Sequence, residues 1–265
     1  MNNGKWTTVE AGTEIPFGGT NGDLRLRGIN PNGTATSWNA YSTITFTEAN
    51  VNVACTGDIR TLQDWRIYNI VETNNAKFCS LFKDCSVLTT APELPATTLA
   101  NECYHCMFSG CTSLTSAPKL PATTLADYCY SIMFSGCTSL TSAPKLPAKK
   151  LADYCYYEMF NSCTSLTSAP ELTATELAEA CYCSMFYGCE NLSSVTMLAP
   201  SDKIKNTSSS FNGWLNKAGT KATTRTLKVT DEDAYNALEN NGYLPAIWKK
   251  GTAGTTVKKE DNTEI

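Results

Sequence analysis

The sequence is poor in the side chains that most catalysis and nucleic-acid binding require. It contains one histidine, and only 17% of its residues are charged, with 21 basic against 25 acidic side chains. The basic residues are spread thinly and form no stripe. Because neutralising a phosphate backbone needs clustered lysine and arginine, we expect no nucleic-acid partner.

Long apolar runs are missing too. No stretch of about 18 apolar residues occurs, so we expect no membrane span in this chain. The first residues lack the apolar core of a signal peptide, and we expect an export signal to have been removed. Asn2-Asn3-Gly4 is a hairpin-turn sequence whose first strand would lie upstream, which suggests that the chain is a piece of something longer.

What the sequence does have is a tandem repeat. The stretch from Cys111 to Pro121 returns almost letter for letter from Cys137, and less perfectly from three other positions. The period is 26 residues without insertions, and it brings into register the sets Phe82, Phe108, Phe134, Phe160, Phe186 and Leu88, Leu114, Leu140, Leu166, Leu192. Such a fixed period is typical of stacked repeat architectures, in which apolar residues pack on the same residues of the next copy.

One unit, residues 111–136, predicts a short strand and a short helix. The piece 115–117 is extended and is ended by Pro118. Leu125, Cys129 and Met133 then recur at helical spacing, and Gly136 suits the left-handed residue that ends a helix.

Nine of the thirteen cysteines fall into two registers of the repeat. They are Cys85, Cys111, Cys137, Cys163, Cys189 and Cys103, Cys129, Cys155, Cys181. Recurring positions favour free, buried thiols that pack as small apolar side chains. The alternative is a bridge between residues eight apart, such as Cys129 and Cys137, which requires close Cα atoms.

The flanks do not carry the repeat. Residues 1–75 predict an all-β head, with strands at 5–9, 23–27, 42–46 and 51–55, which covers the first unit. Residues 76–198 form the repeat array, and residues 199–265 form a C-terminal cap. In this cap we expect a polar loop at 201–219, an alternating piece at 223–229, a helix at 231–240 and a mobile polar tail from 250.

The repeat consensus is Phe-x-x-Cys-x-x-Leu-x-x-Ala-Pro-x-Leu-Pro followed by Leu-x-x-x-Cys-Tyr-x-x-Met-Phe. It resembles the BspA-like leucine-rich repeats of Bacteroidetes surface proteins, in the 26-residue variant of gut Bacteroides. The head is similar to that family at residues 3–7 and at Gly57-Asp58-Ile59. The resemblance implies an α+β leucine-rich-repeat solenoid, with a short strand and a short helix per coil. It also implies a cell-surface or secreted protein of the adhesin type.

The sequence carries only weak signals for a catalytic or metal-binding group of residues. His105 lies among Cys103, Cys106 and Cys111, a spacing that zinc could use, but Cys103 and Cys111 occupy registers that the other units also fill with cysteine. Asp231 and Asp233 fit a helix start better than an acid–base pair. We therefore expect no enzyme, no cofactor and no metal.

The candidate binding surface comes from registers that face outward or repeat an aromatic ring. One is the charged register Glu93, Lys119, Lys145 and Glu171, and the other is the tyrosine register Tyr104, Tyr130, Tyr156 and Tyr182. Stacked tyrosines present flat amphipathic faces to a sugar or a peptide. The alternatives are that the charges only solvate the array and that the tyrosines only pack between units.

These features predict a non-catalytic protein that binds a host matrix protein, a host surface protein or a neighbouring cell through its repeat surface. A glycan-binding accessory of polysaccharide uptake is the alternative, for which the tyrosines and five tryptophans are the hint. A structural spacer without a ligand is the third hypothesis.

Overall fold

The structure is a computed structural model that describes residues 6–10, 12–16, 24–47, 51–71, 73, 76–207 and 209–265. Its regular elements are short and lie mainly at the two ends of the chain. They are β1 (Ala35–Ser37), β2 (Ala40–Tyr41), β3 (Val53–Ala54), α1 (Thr61–Asp64), β4 (Leu88–Thr90), β5 (Ser194–Met197), α2 (Ser201–Asn206), β6 (Arg225–Val229), α3 (Glu232–Asn240), a 3-10 turn (Ala246–Trp248) and β7 (Thr255–Lys258). Residues 91–193, all of them described, contain neither a helix nor an extended strand.

The repeat units lie side by side, and each pairs with the next. Isolated parallel bridges join equivalent residues of neighbouring units, at Thr98–Thr124, Ser116–Ser142, Lys150–Glu176 and Ser168–Ser194. The Thr141 amide and the Thr141 hydroxyl both donate to the Thr115 carbonyl oxygen, at 3.2 Å. At these positions each unit pairs with the equivalent residues of its neighbour.

The second half of each unit is a run of tight turns, so the predicted helix in each unit is wrong. In residues 100–111 the amides of Cys103, Met107 and Cys111 donate to the carbonyl oxygens three residues earlier, at 3.1–3.2 Å. The residue before each of these three has a positive φ. These left-handed residues are Glu102 at 60°, Cys106 at 54° and Gly110 at 76°. A left-handed residue at every fourth position is incompatible with an α-helix.

The amides between these turns point to the neighbouring unit. Tyr104 N donates to Cys129 O at 2.9 Å, and Phe108 N donates to Met133 O at 2.9 Å. The buried backbone amides of this run therefore make about half of their hydrogen bonds within the unit and half to the next unit. In a helix, all of these hydrogen bonds would lie within the unit. The apolar spacing of four residues fits both a short helix and this turn run, which is why the sequence pattern predicted the wrong element.

Ladders of identical side chains form the core between units. Adjacent rings of the phenylalanine register stack with centroids 5.6–5.8 Å apart, from Phe82 through to Phe186. The leucines at 88, 114, 140, 166 and 192 are each 0% exposed. Each unit thus buries its apolar edge only because its neighbours are present.

The cysteines are free thiols, as the buried-ladder prediction requires. All thirteen lack a disulfide partner, and eleven of them are buried. The thiols of Cys111, Cys137, Cys163 and Cys189 each donate to the carbonyl oxygen of a phenylalanine of the preceding unit, at 3.0–3.1 Å. The alternative bridge between Cys129 and Cys137 does not form.

The head lies against the first unit, although it is not all-β. Strand β3 pairs in parallel with β4 of the first unit, and Ile44 N donates to Leu81 O at 2.7 Å. Within the described residues the only predicted strand that appears is 51–55, as β3, while β1 and β2 form a hairpin at 35–41 and α1 is a helical turn. The predicted Asn2–Gly4 turn and residues 5 and 23 of two other predicted strands lie outside the described residues.

The C-terminal region continues the stack beyond residue 198, so the predicted polar loop is wrong. Residues 209–219 form another turn run. The Phe186 amide of the preceding unit donates to the Trp214 carbonyl oxygen of this run at 2.9 Å. Its left-handed residues are Ser209, Gly213 and Lys217. Its offset from the preceding unit is longer than 26 residues, which hid it from the repeat pattern.

A small parallel sheet and one helix complete the chain. Strand β6 pairs with β5 on one side and with β7 on the other. Helix α3 confirms the predicted helix, and its Asp231 cap accepts a hydrogen bond from Ala234 N at 2.8 Å. The tail predicted to be mobile instead contains β7, and Ile265 N donates to Val257 O at 3.1 Å.

Candidate functional site

The tyrosine register that the sequence nominated for binding is buried. Tyr104, Tyr130, Tyr156 and Tyr182 are 0–2% exposed and stack at centroid distances of 5.8–6.0 Å. The consensus sequence cannot distinguish an aromatic ladder inside the stack from one outside it. These four tyrosines are therefore packing residues, and the prediction that they form a binding surface is wrong.

The charged register lies on the surface. Glu93, Lys119, Lys145 and Glu171 are all exposed, and none of them has an ion-pair partner among the residues the structure describes. The order of charges along the stack is negative, positive, positive, negative. This register is accessible to a partner, but its mixed charge selects no single ligand class.

A second set of tyrosines, which the sequence analysis missed, reaches the surface: Tyr128 is exposed, and Tyr154 and Tyr157 are half-buried. Tyr128 and Tyr154 occupy the same register of adjacent units, and their rings stack at 4.7 Å with 7° between the planes. Tyr157 lies 5.9 Å from Tyr154, with its ring tilted by 56°. We call Tyr128, Tyr154 and Tyr157 the outer tyrosine platform.

The turn run places this platform outside the stack. Tyr128 and Tyr154 are left-handed residues, with φ of 58° and 56°, and each is two residues from a buried tyrosine. Tyr128 is 38% exposed, whereas Tyr130 is 1% exposed. The left-handed register also varies from unit to unit, as Glu102, Tyr128, Tyr154 and Ala180. That variation sets this register apart from the constant tyrosine register two residues later.

Carboxylates surround the platform. Asp127, Asp153 and Glu179 share one register, and each of the first two accepts a hydrogen bond from the backbone amide of the next, at 3.2 Å and 3.0 Å. The Tyr154 hydroxyl donates to Glu179 Oε1 at 3.2 Å. Asp127, Asp153, Glu158 and Glu179 have no basic partner within the described part of the chain.

The nearby carboxylates raise the pKa values of the platform tyrosines. The Glu158 carboxylate, followed by partial burial, raises the pKa of Tyr157 to about 12. The hydrogen bond to Glu179 raises the pKa of Tyr154. Partial burial, followed by Asp127, Glu179 and Asp153, raises the pKa of Tyr128. The platform therefore combines aromatic faces with a field that favours cations.

The cysteines and the histidine do not assemble a metal site. Cys103 and Cys111 are fully buried, and no group of three or more histidine, cysteine or acidic side chains is placed to hold a metal ion within the described ranges. His105 and Cys106 instead border a pocket against the head. Asp231 caps α3, which accounts for that carboxylate without a catalytic role.

The five tryptophans have separate structural surroundings. Trp214 and Trp248 are fully buried, and their indole N–H groups donate to Tyr243 O and Ala218 O at 2.9 Å. Trp6 and Trp65 stack on the two sides of the Arg27 guanidinium, at 3.7 Å and 3.8 Å. Trp38 lines a pocket between the head and the repeat units.

No protein-family model, curated protein or solved structure matches this chain. Within the described ranges, the helices are all too short and too polar to cross a bilayer.

Proposed function

We propose that this protein is a non-catalytic, adhesin-like binding protein of the cell surface or the secreted space, built as a leucine-rich-repeat solenoid of the BspA-like type. Its partner is a host protein or a protein on a neighbouring cell. The supporting architecture is the 26-residue stacking. The observation that carries the function is the outer tyrosine platform, with four neighbouring carboxylates that have no basic partner among the described residues. The platform receives lysine or arginine side chains of the partner.

One face of the Tyr154 ring has no stacked tyrosine of its own register. Tyr128 covers one face of the Tyr154 ring, at 4.7 Å. The next residue in that register is Ala180, so no ring of the same register covers the opposite face. A cation within about 6 Å of a tyrosine face gains roughly 0.5–2 kcal/mol. The neighbouring carboxylates add charge-assisted hydrogen bonds.

We predict that replacing both Tyr154 and Tyr157 by alanine weakens partner binding about tenfold, because two aromatic faces are lost. The measurement is surface plasmon resonance of the purified chain against a panel of host matrix proteins, followed by dissociation constants for each protein that binds. Tyr68→Ala is the matched control, since Tyr68 is an exposed tyrosine of the head, 41% accessible. Binding should also weaken as salt is raised, because the attraction is between exposed charges.

The panel decides between outcomes. Binding that is unchanged by the platform substitutions contradicts the proposal, and so does a panel in which no protein binds. A glycan-binding accessory is the second candidate, because the free Tyr154 face beside carboxylate acceptors also suits a neutral sugar ring. Saturable binding of a neutral soluble polysaccharide, lost in the same double variant, favours that candidate.

A further inference from the structure

A pocket lies where the head meets the first two units of the stack. Its volume is about 390 Å³, within the range of small-molecule sites. The head lines it with Trp38, Asn39 and Tyr41, and the two units line it with Ser80, Lys83, His105 and Cys106. It contains none of the residues of the outer tyrosine platform.

Backbone hydrogen bonds fix the walls of this pocket. The Thr43 hydroxyl donates to Ser80 O at 3.1 Å, which ties the head to the first unit beside the pocket. Ser80 N donates to His105 O at 2.9 Å, which ties the first unit to the second. At the tip of the β1–β2 hairpin, the Ser37 hydroxyl donates to Asn39 Oδ1 at 2.6 Å. The backbone that carries the pocket residues is therefore held in place before a ligand binds, whereas the exposed Trp38, Asn39 and Tyr41 side chains can adjust.

His105 is the single histidine of the chain, and no other unit has a histidine at its position. Its Nδ1 is enclosed and lacks a hydrogen-bond partner in the described part of the structure, which leaves Nε2 as the nitrogen that a ligand can reach. Burial lowers the pKa of His105, with Lys83 acting in the same direction and Glu102 opposing it. A neutral ring with its proton on Nε2 donates one hydrogen bond to the pocket.

Lys83 gives the pocket its charge. No carboxylate pairs with it among the described residues, whereas the nearby Glu102 is already paired with Lys77 at 2.8 Å. Asp84 and Glu158 lie close enough to affect the Cys106 thiol, but neither lines the pocket. The pocket wall therefore carries one cation, one imidazole donor and two aromatic faces.

We propose that this pocket binds an acidic sugar residue, a pyranose ring that carries a carboxylate. The carboxylate accepts hydrogen bonds from Lys83 Nζ and His105 Nε2. The ring packs against Trp38 and Tyr41, whose amphipathic faces suit it, and its hydroxyls reach Asn39 and Ser80.

The single histidine makes the test direct. In NMR spectra of the full chain, the imidazole signals of His105 need no assignment, and they are followed during titration with glucuronic acid, N-acetylneuraminic acid, glucose and acetate. We expect saturable shifts with at least one acidic sugar. Binding should be at least about tenfold weaker for glucose, which lacks the carboxylate, and for acetate, which lacks the pyranose ring. Lys83→Gln should weaken the acidic sugar about tenfold, by loss of a charge-assisted hydrogen bond.

Two further variants guard against a trivial result. Trp38→Ala should also weaken binding and should leave the fold intact, because Trp38 is 58% exposed. Lys119→Gln removes an exposed lysine of the charged register and should change nothing. The proposal is overturned if neither acidic sugar shifts His105, if glucose or acetate binds as tightly, or if Lys83→Gln behaves like Lys119→Gln.

Discussion

Replacing Tyr130 by alanine is expected to lower the free energy of unfolding by about 4 kcal/mol, the cost of deleting a large buried aromatic ring. Tyr130 is 1% exposed and stacks on Tyr104 at 5.8 Å and on Tyr156 at 6.0 Å. The cavity would lie in the middle of the ladder and would remove packing from both neighbouring units. Denaturant unfolding followed by circular dichroism measures the loss.

Tyr128→Ala is the matched control. The two tyrosines are two residues apart in the same turn run, but Tyr128 is 38% exposed and stacks on one ring only. Its replacement should cost about 1 kcal/mol or less. Equal losses for the two variants would contradict the assignment of Tyr130 to the inside and Tyr128 to the outside of the stack.

Raising the pH above about 9 is expected to destabilise the protein progressively. Burial raises the pKa values of Cys129, Cys137 and Cys189 from the ordinary value of 9.0 to about 12. Between these two values the unfolded chain releases the thiol protons and the folded chain keeps them. Because the unfolded state then binds fewer protons, stability falls as the pH rises through this window.

The magnitude is large because the thiols repeat. Each group costs about 1 kcal/mol per pH unit, so that these three together cost roughly 3–4 kcal/mol per unit. Burial also raises the pKa values of Cys103, Cys111, Cys155 and Cys163 and of the four buried tyrosines. A domain stable by about 5–15 kcal/mol at neutral pH should therefore unfold by about pH 10 to 11.

Denaturant midpoints at pH 7 to 11 test this expectation, and the slope gives the number of protons released on unfolding. The Cys129→Ala variant is the control, since it should reduce that number by about one in this window. Stability that stays constant from pH 8 to 11 would contradict free buried thiols. It would instead favour bridged cysteines, which have no proton to lose.

Much of the packing could be predicted, because it depends on identical residues at equivalent positions of the repeat units. A position that holds phenylalanine, leucine or cysteine in five successive units can only meet its equivalents if the units stack, and the phenylalanine ladder through Phe134 shows that contact. Helix α3 was also predictable, because its Asp231 cap and acidic first turn are local signals.

The turn run could not be predicted from the apolar spacing. Leu125, Cys129 and Met133 recur every four residues, which over one unit is close to the 3.6 residues of a helix. The left-handed residues that distinguish the two are mostly not glycine, as Tyr128 and Ile132 show with φ of 58° and 59°. Non-glycine residues carry no sequence signal for that conformation, and the stack of hydrogen bonds between units imposes it.

The candidate sites could not be predicted from the sequence for the same reason. Only the turn run decides that Tyr128 points outward and Tyr130 inward, so the sequence pattern nominated the buried ladder. The pocket requires the hairpin around Trp38 to contact residues 80–106, a long-range contact that no local pattern encodes. His105 could be singled out as unusual for its unit, but its surroundings could not be predicted.

The most direct test of the account is the removal of one complete unit. Deleting residues 111–136 joins Gly110 to Cys137, and Phe108 then meets Phe160, so each remaining unit keeps an equivalent neighbour. Thermal unfolding followed by circular dichroism should show a folded, cooperative protein of unchanged spectral shape, whereas deletion of residues 111–123 alone should abolish the transition. If the complete unit cannot be removed without unfolding, or if both deletions behave alike, the units are not equivalent stacked copies and the account is wrong.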